Sequence, residues 1–401
     1  MSINSRIGTA NAYGAAVNNL SDRQQALVTL QQNMTSGKKI NRASDDPTGA
    51  AQAERAGTRI ARIAADQRLL ASQRDTIAMA ESTLGSTTNA LQSFRELVVS
   101  AGSGTLTPAD RASIAQQLVS LRDEIFANAN KTDSNGTPLF SGLGSAATPF
   151  TNTQTVSFEG LSGQRVGGSA TVAPTLDGQA TFMNVPTGNG TFVVNTGAAN
   201  TGTASADAGA VTSPSLVTGH NYTIAFAVDA TTGAKTYTVN DATAGTVAAT
   251  GAYKDGGAIA FDGLSVTMKG APANGDTIAI TPSVRTDLFS TLDQAIGDIK
   301  GATSNSGALP TQIAKALSQI DAGMARVSSG RSLAGDILNQ ADRIKDSQDG
   351  NSDRLAAEKS SAEDLDMIKA VSEFTTQQTG YQAALSSYAQ IQKLSLFNYI
   401  S

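Results

Sequence analysis

Two adjacent carboxylates, Asp45 and Asp46, lie in the stretch SGKKINRASDDPTGAA, residues 36–51. Acids so placed could hold a hard cation through oxygen ligands. The stretch offers no third and fourth acid at ligand spacing, so the coordination shell would be incomplete. A structural joint fits the same residues better. Gly37 ends one helix, Asp46 caps the next, and Pro47 takes its first position, where a missing N–H costs nothing. Asp45 and Asp46 then both face the positive end of a helix dipole.

The one histidine, His220 in TGHNYTIAF, stands at the edge of a predicted strand, where an imidazole could serve as a general base. No second histidine or cysteine exists to complete a catalytic set, so a surface histidine is expected. Glycines such as Gly102 and Gly104 are not followed by the Gly-Lys-Ser/Thr of a phosphate-binding loop and read as turns. The absence of cysteine excludes disulfides, thiolate catalysis and sulfur-ligated metal sites. No catalytic, cofactor-binding or metal-binding residue is therefore expected. An enzyme is accordingly not expected.

The bulk composition narrows the partners. A net charge of −5 over 401 residues provides no basic footprint for nucleic acid, and no apolar run is long enough to span a bilayer. The opening MSINSRIGTANAYGAAVNNL lacks the apolar core of a secretory signal and reads as mature chain. Tryptophan is absent and aromatics make up only 5%, so large anchors are scarce and stability is expected from many small contacts.

The elements that carry these residues follow from periodicity. Ile63, Leu70, Ile77, Leu84, Leu91 and Val98 recur at seven-residue intervals, as in a left-handed coiled seam. Their companions Gln67, Arg74, Glu81 and Arg95 are polar, so the contact is narrow on that side. Ile114, Leu118, Leu121 and Ile125 predict a return helix, and Ile313, Leu317, Ile320, Met324 and Val327 another long one. Leu288, Leu292, Ile296 and Ile299 predict a shorter amphipathic helix.

Both chain ends alternate by four and three. Tyr13, Val17, Leu20, Gln24, Leu27, Gln31 and Met34 do so at the start, and Met367, Val371, Phe374, Gln378, Tyr381, Leu385 and Tyr388 near the end, continuing through Leu394 and Phe397. Two such weak stripes leave apolar surface in a monomer. A subunit-interface seam is accordingly expected at Tyr13, Val17, Leu20, Leu27, Met34, Val371, Phe374, Tyr381, Leu385, Tyr388, Leu394 and Phe397.

Between residues 151 and 283 the period falls to two, with Tyr222, Ile224 and Phe226 on one face and Leu264, Val266 and Met268 on another. Asn274-Gly275 in APANGDTIAI is the expected tight hairpin turn, and NTGAANTGTASADAGAV, residues 195–211, reads as a loop or a poorly ordered stretch. The fold class is α+β: a coiled-coil helical core formed by both chain ends, with an inserted mainly-β domain. The expected divisions are 1–44 plus 360–401, 45–150 plus 284–359, and 151–283.

SGKKINRASDDPTGAA resembles the loop and helix start shared by bacterial flagellins and their hook-associated relatives, and the overall plan is similar. RIGTANAY at 6–13, the run from Gly104 to Gly142, and YAQIQKLSLFNYI at 388–400 resemble the hook-associated branch more than the filament subunit. Gly8 stands where that branch carries serine. The resemblance implies a structural adapter at the hook–filament junction of the bacterial flagellum, outside the cell. It implies a homo-oligomeric ring with the first hook-associated protein on one side and flagellin on the other. It also implies type III export without a cleaved signal peptide, with a flagellar export chaperone on the C-terminal region. Two other readings stay open: a filament flagellin, separated by copy number per flagellum, and a secreted binding module in the β insert, separated by a binding assay.

Overall fold

A computed structural model describes residues 9–153, 155–302 and 307–397, with side-chain surroundings for those between 13 and 390. Among the described residues are six α-helices: α1 (Thr9–Ser36), α2 (Pro47–Ala101), α3 (Pro108–Ala129), α4 (Leu288–Lys300), α5 (Ala308–Glu363) and α6 (Met367–Phe397). The chain divides into two compact units, residues 1–68 with 345–401, and residues 69–344. These divisions fall inside α2 and α5, whereas sequence texture puts the change at the 44/45 turn and at 359/360.

In the unit formed by the chain ends, α1 runs antiparallel to α6. The register is fixed at one end by a 2.6 Å hydrogen bond between the Tyr13 and Tyr388 hydroxyls, and at the other by Leu365 N–H donating to Gly37 O at 3.0 Å. The remainder of the unit pairs the start of α2 with the end of α5, and Gln67 Nε2 donates to Asp349 Oδ1 at 2.7 Å.

In the other unit the seven-residue row of α2 is buried as its spacing predicts: Leu70, Ile77, Leu84, Leu91 and Val98 face the core. A second buried row, Ala80, Thr87, Phe94 and Ala101, lies three residues further on. The α5 side supplies Ile313, Ile320, Val327, Ala334 and Ala341, again seven apart. The polar flank of α2 forms ion pairs along the same helix: Arg74 with Asp342 at 2.9 Å, Glu81 with Arg331 at 2.6 Å and Arg95 with Asp321 at 2.7 Å. Each is exposed and contributes little stability alone. Together they favour one register of α2 against α5.

Helix α3 starts with a capping box in which Thr107 and Asp110 exchange hydrogen bonds, with Pro108 in the first turn. Its Arg122 is buried, paired bidentately with Asp293 of α4 at 2.9 Å to each oxygen, and its guanidinium lies 5.4 Å from the Phe126 ring centre. The scarcity of aromatics proves uneven. Phe126, Phe140, Phe150, Phe158, Phe182 and Phe289, half of the chain's 12 phenylalanines, meet in one cluster of edge-to-face and stacked rings. Asn130 pins that cluster by donating to Phe150 O at 3.0 Å and accepting from Phe150 N at 2.9 Å. Large anchors are concentrated there, so many small contacts are not the whole account of stability.

Residues from Phe150 to Val185 belong to this helical core, and a separate β core begins at Phe192. A five-stranded antiparallel sheet runs in the order Phe192–Thr196, Thr277–Pro282, Tyr222–Val228, Lys235–Asp241, Thr246–Ala252. A hairpin of Ala258–Phe261 and Leu264–Lys269 forms the second sheet, and the predicted rows on Tyr222 and Leu264 both face the shared core. Two expectations change here. The Asn274-Gly275 turn exists, with Gly275 at φ 88°, but it joins strands of different sheets. The tight hairpin turn is Asp262-Gly263, at φ 40° and 76°, which suits the twist of adjoining strands. The stretch 195–211 is not only loop: Ser205–Ala206 and Ala210–Val211 both pair with Leu264–Lys269.

Candidate assembly face and its joint

The joint is built from short polar contacts. Gly37 takes φ 69°, a left-handed conformation that releases the chain from α1. Lys39 N–H donates to Glu363 O at 2.9 Å, Lys39 Nζ to Ser361 O at 2.7 Å, and Lys38 forms an ion pair with Glu363. The hydrogen bond to Glu363, followed by its charge, raises the Lys38 pKa above its ordinary value.

The two acids divide the work. Asp45 Oδ2 accepts from the backbone N–H groups of Asn41 and Arg42 at 3.1 and 2.8 Å, closing the turn. Asp46 Oδ1 accepts from Gly49 N, Thr48 N and Thr48 Oγ1 at 3.0, 3.1 and 2.7 Å, which caps α2 ahead of Pro47. The Gly49 hydrogen bond, then that of the Thr48 hydroxyl, holds the Asp46 carboxyl below its ordinary pKa of 3.8. Gly49 is required for this fit. A Cβ there would lie 2.5 Å from Asp46 Oδ2 and 2.7 Å from the Ile40 side chain, which is buried over it.

The seam between α1 and α6 is narrower than the predicted stripes. On α6 the less exposed positions are Ala370, Phe374, Gln377, Tyr381, Ala384 and Tyr388, alternating by four and three, together with Gly380. On α1 they include Ala16, Leu20, Leu27, Leu30 and Met34. Leu20, Leu27, Met34, Phe374, Tyr381 and Tyr388 are therefore half-buried inside the chain's own helix pair. The other column of that pair sits one residue before the expected one: Ala16 and Ala370 in place of Val17 and Val371, Ala384 in place of Leu385. Alanine lets two helix backbones approach closely, and the larger neighbour is left outside. The seam is not free of charge, because Arg23 lies over Gly380, where a Cβ would meet its guanidinium at 2.6 Å.

The residues left outside are apolar. Tyr13, Val17, Val371 and Leu385 are exposed, as are Val28 and Met367, and Ile368 is 87% exposed. Met367, Ile368 and Val371 form a patch in the first two turns of α6. Ile368 falls outside the four-three alternation, so sequence periodicity does not single it out; its isolation as a large aliphatic beside a stripe is the only signal. Leu394 and Phe397 lie beyond the described side chains.

His220 has a companion that the sequence does not reveal. Its Nδ1 lies 2.7 Å from Asp241 Oδ2, across a strand pair in which Tyr222 stands opposite Asp241. Asp241 Oδ1 also accepts from Thr243 and Ala244 N–H. Burial works to raise the Asp241 pKa, but these hydrogen bonds and that of His220 hold it below its ordinary value. The nearby Tyr222 hydroxyl, pushed up to about 12 chiefly by burial, donates to Asp262 at 2.7 Å. The cluster ties strand ends and turns together and contains no serine or thiol nucleophile.

Residues 7–145 match the bacterial flagellin N-terminal helical region and residues 317–400 the bacterial flagellin C-terminal helical region. The flagellar hook-associated protein 3 of Escherichia coli K12 is 25% identical over 404 residues, 98% of each chain. That of Salmonella typhimurium LT2 is 32% identical over 191 residues, 46% of this chain and 55% of its own length, so that alignment spans about half of the relative. The crystal structure of flagellar hook-associated protein-3 from Legionella pneumophila superposes with a TM-score of 0.69 at 30% identity, covering 76% of this chain and 97% of that one. Filament flagellins align over shorter stretches than the full-length relative. The chain belongs to the flagellin family and, within it, to the hook-associated protein 3 (FlgL) group, whose members are structural components of the flagellar hook–filament junction.

Proposed function

We propose that the chain acts at the junction through surface its own folding leaves uncovered. The observation that carries this reading is the α1/α6 pair: its internal seam is filled by alanines, leucines and aromatics while Ile368, Val371 and Leu385 remain outside. Neighbouring copies in a homo-oligomeric ring cover this row. The same row accepts the first hook-associated protein on the hook side and flagellin on the filament side. Before assembly an export chaperone shields the C-terminal part, and the chain leaves the cell through the flagellar type III apparatus without a cleaved signal peptide. Association then stabilises the folded ends by mass action.

Antibody labelling of intact flagella tests the placement. A single band at the distal end of the hook is expected, and labelling along the whole filament would instead favour a filament subunit.

A further inference from the structure

Lys315 of α5 is 7% exposed, whereas Lys38, Lys345 and Lys369, which also lie beside acids, are exposed. Its Nζ donates to Asn195 Oδ1 at 3.3 Å and lies 3.9 Å from Asp298 Oδ2. A carbonyl bond of about 1.2 Å then puts Asn195 Cγ no more than about 4.5 Å from the amine. Asn195 is half-buried in the Phe192–Thr196 strand, which pairs with Thr277–Pro282, and Asp298 lies on α4, so regular elements hold all three groups. Asp298 Oδ2 is buried and accepts no hydrogen bond. Burial raises the Asp298 carboxyl above its ordinary pKa of 3.8, against the opposing charge of Lys315. An amine, a carboxamide and a desolvated carboxyl group so arranged are the reactants and the proton carrier of an amide exchange.

We propose that Lys315 and Asn195 join through an isopeptide bond in the folded chain, with Asp298 carrying the protons. The ammonium passes a proton to Asp298, which removes two charges from a poorly hydrated site. The Nζ lone pair attacks Asn195 Cγ while the Asp298 proton goes to Oδ1, giving a tetrahedral centre. Asp298 next moves a proton from Nζ to Nδ2. The Cγ–Nδ2 bond breaks with its electron pair on nitrogen, ammonia leaves, and the hydroxyl proton returns to Asp298 as the carbonyl re-forms. An ammonium, a carboxylate and a carboxamide thereby become a secondary amide, a carboxylic acid and ammonia, with no oxidant or other co-reactant. Fixed placement supplies the effective concentration that a free amine and amide lack. The cleft that Asn195 and Lys315 both line gives ammonia an exit. In a chain without cysteine, the bond ties a strand of the β core to α5 where no disulfide can. It stands or falls independently of the junction reading.

The test is intact-mass measurement of the folded full chain, followed by a protease digest. The parent is expected to be lighter than its sequence by one ammonia and to yield a branched peptide joining Asn195 to Lys315. Lys315→Met and Asn195→Ala should each keep the full sequence mass and yield no branched peptide. Asp298→Asn, with its fold checked by circular dichroism, should carry the bond in a fraction at least about tenfold smaller than the parent. Three results would overturn the proposal: a folded parent of full sequence mass, an ammonia loss without the branched peptide (a succinimide at Asn274-Gly275, for example), or an undiminished linked fraction in Asp298→Asn.

Discussion

Ile368→Lys separates the two faces of α6 most sharply. Burying an isoleucine fully is worth roughly 1.5–3 kcal/mol, and Ile368 is 87% exposed in the single chain. Nearly all of that, about 1.3–2.6 kcal/mol, is gained only when a neighbour covers it. The substitution should leave monomer stability within about 0.5 kcal/mol of the parent. Each contact in the assembly should weaken about ten- to eightyfold, before any further cost of burying the ammonium. Ala370→Leu, two residues away and 2% exposed, should behave in the opposite way. Overpacking the α1/α6 seam should lower monomer stability by about 1–3 kcal/mol. Urea unfolding of purified chain gives the first quantity, and incorporation into flagella of a strain carrying only the variant gives the second. Normal incorporation of Ile368→Lys, or a monomer as unstable as Ala370→Leu, would refute the division of faces.

Other consequences are local. Leu84 is fully buried in the α2/α5 seam, so Leu84→Ala should lower unfolding free energy by about 2–5 kcal/mol in urea titration. Gly49→Ala should destabilise the joint by about 1–3 kcal/mol through its clash with Asp46 and Ile40, seen as a lower urea midpoint. The Asp46 carboxyl titrates below 3.8 in the folded chain, so its contribution is present above that pH and lost as pH falls through the folded value. Asp46→Asn, which keeps an acceptor but does not titrate, should show a flatter fall of stability between pH 5 and 2 in acid titration followed by circular dichroism.

Much of this architecture is legible in residue types. The Leu70-to-Val98 row, the capping logic of Asp46-Pro47 and the alternation on Tyr222 and Leu264 all follow from periods and end signals that tertiary contacts reinforce. The second column of each helix seam does not. Ala370, Ala384 and Ala80 carry almost no hydrophobic signal, so a reader of the stripe picks the bulkier residue next to them. The misplaced hairpin has a related cause: Asn-Gly and Asp-Gly are equally good turn signals, and only long-range pairing decides which one connects partners in a sheet.

The central claim is that α6 keeps one face for its own chain and another for its neighbours. Because the chain has no cysteine, Ile368→Cys and Ala370→Cys each supply a lone reactive thiol. Maleimide labelling should be fast at position 368 in the free chain and at least about tenfold slower in isolated hook–filament assemblies, while position 370 reacts slowly in both. Equal labelling of position 368 in free and assembled chain would contradict the claim.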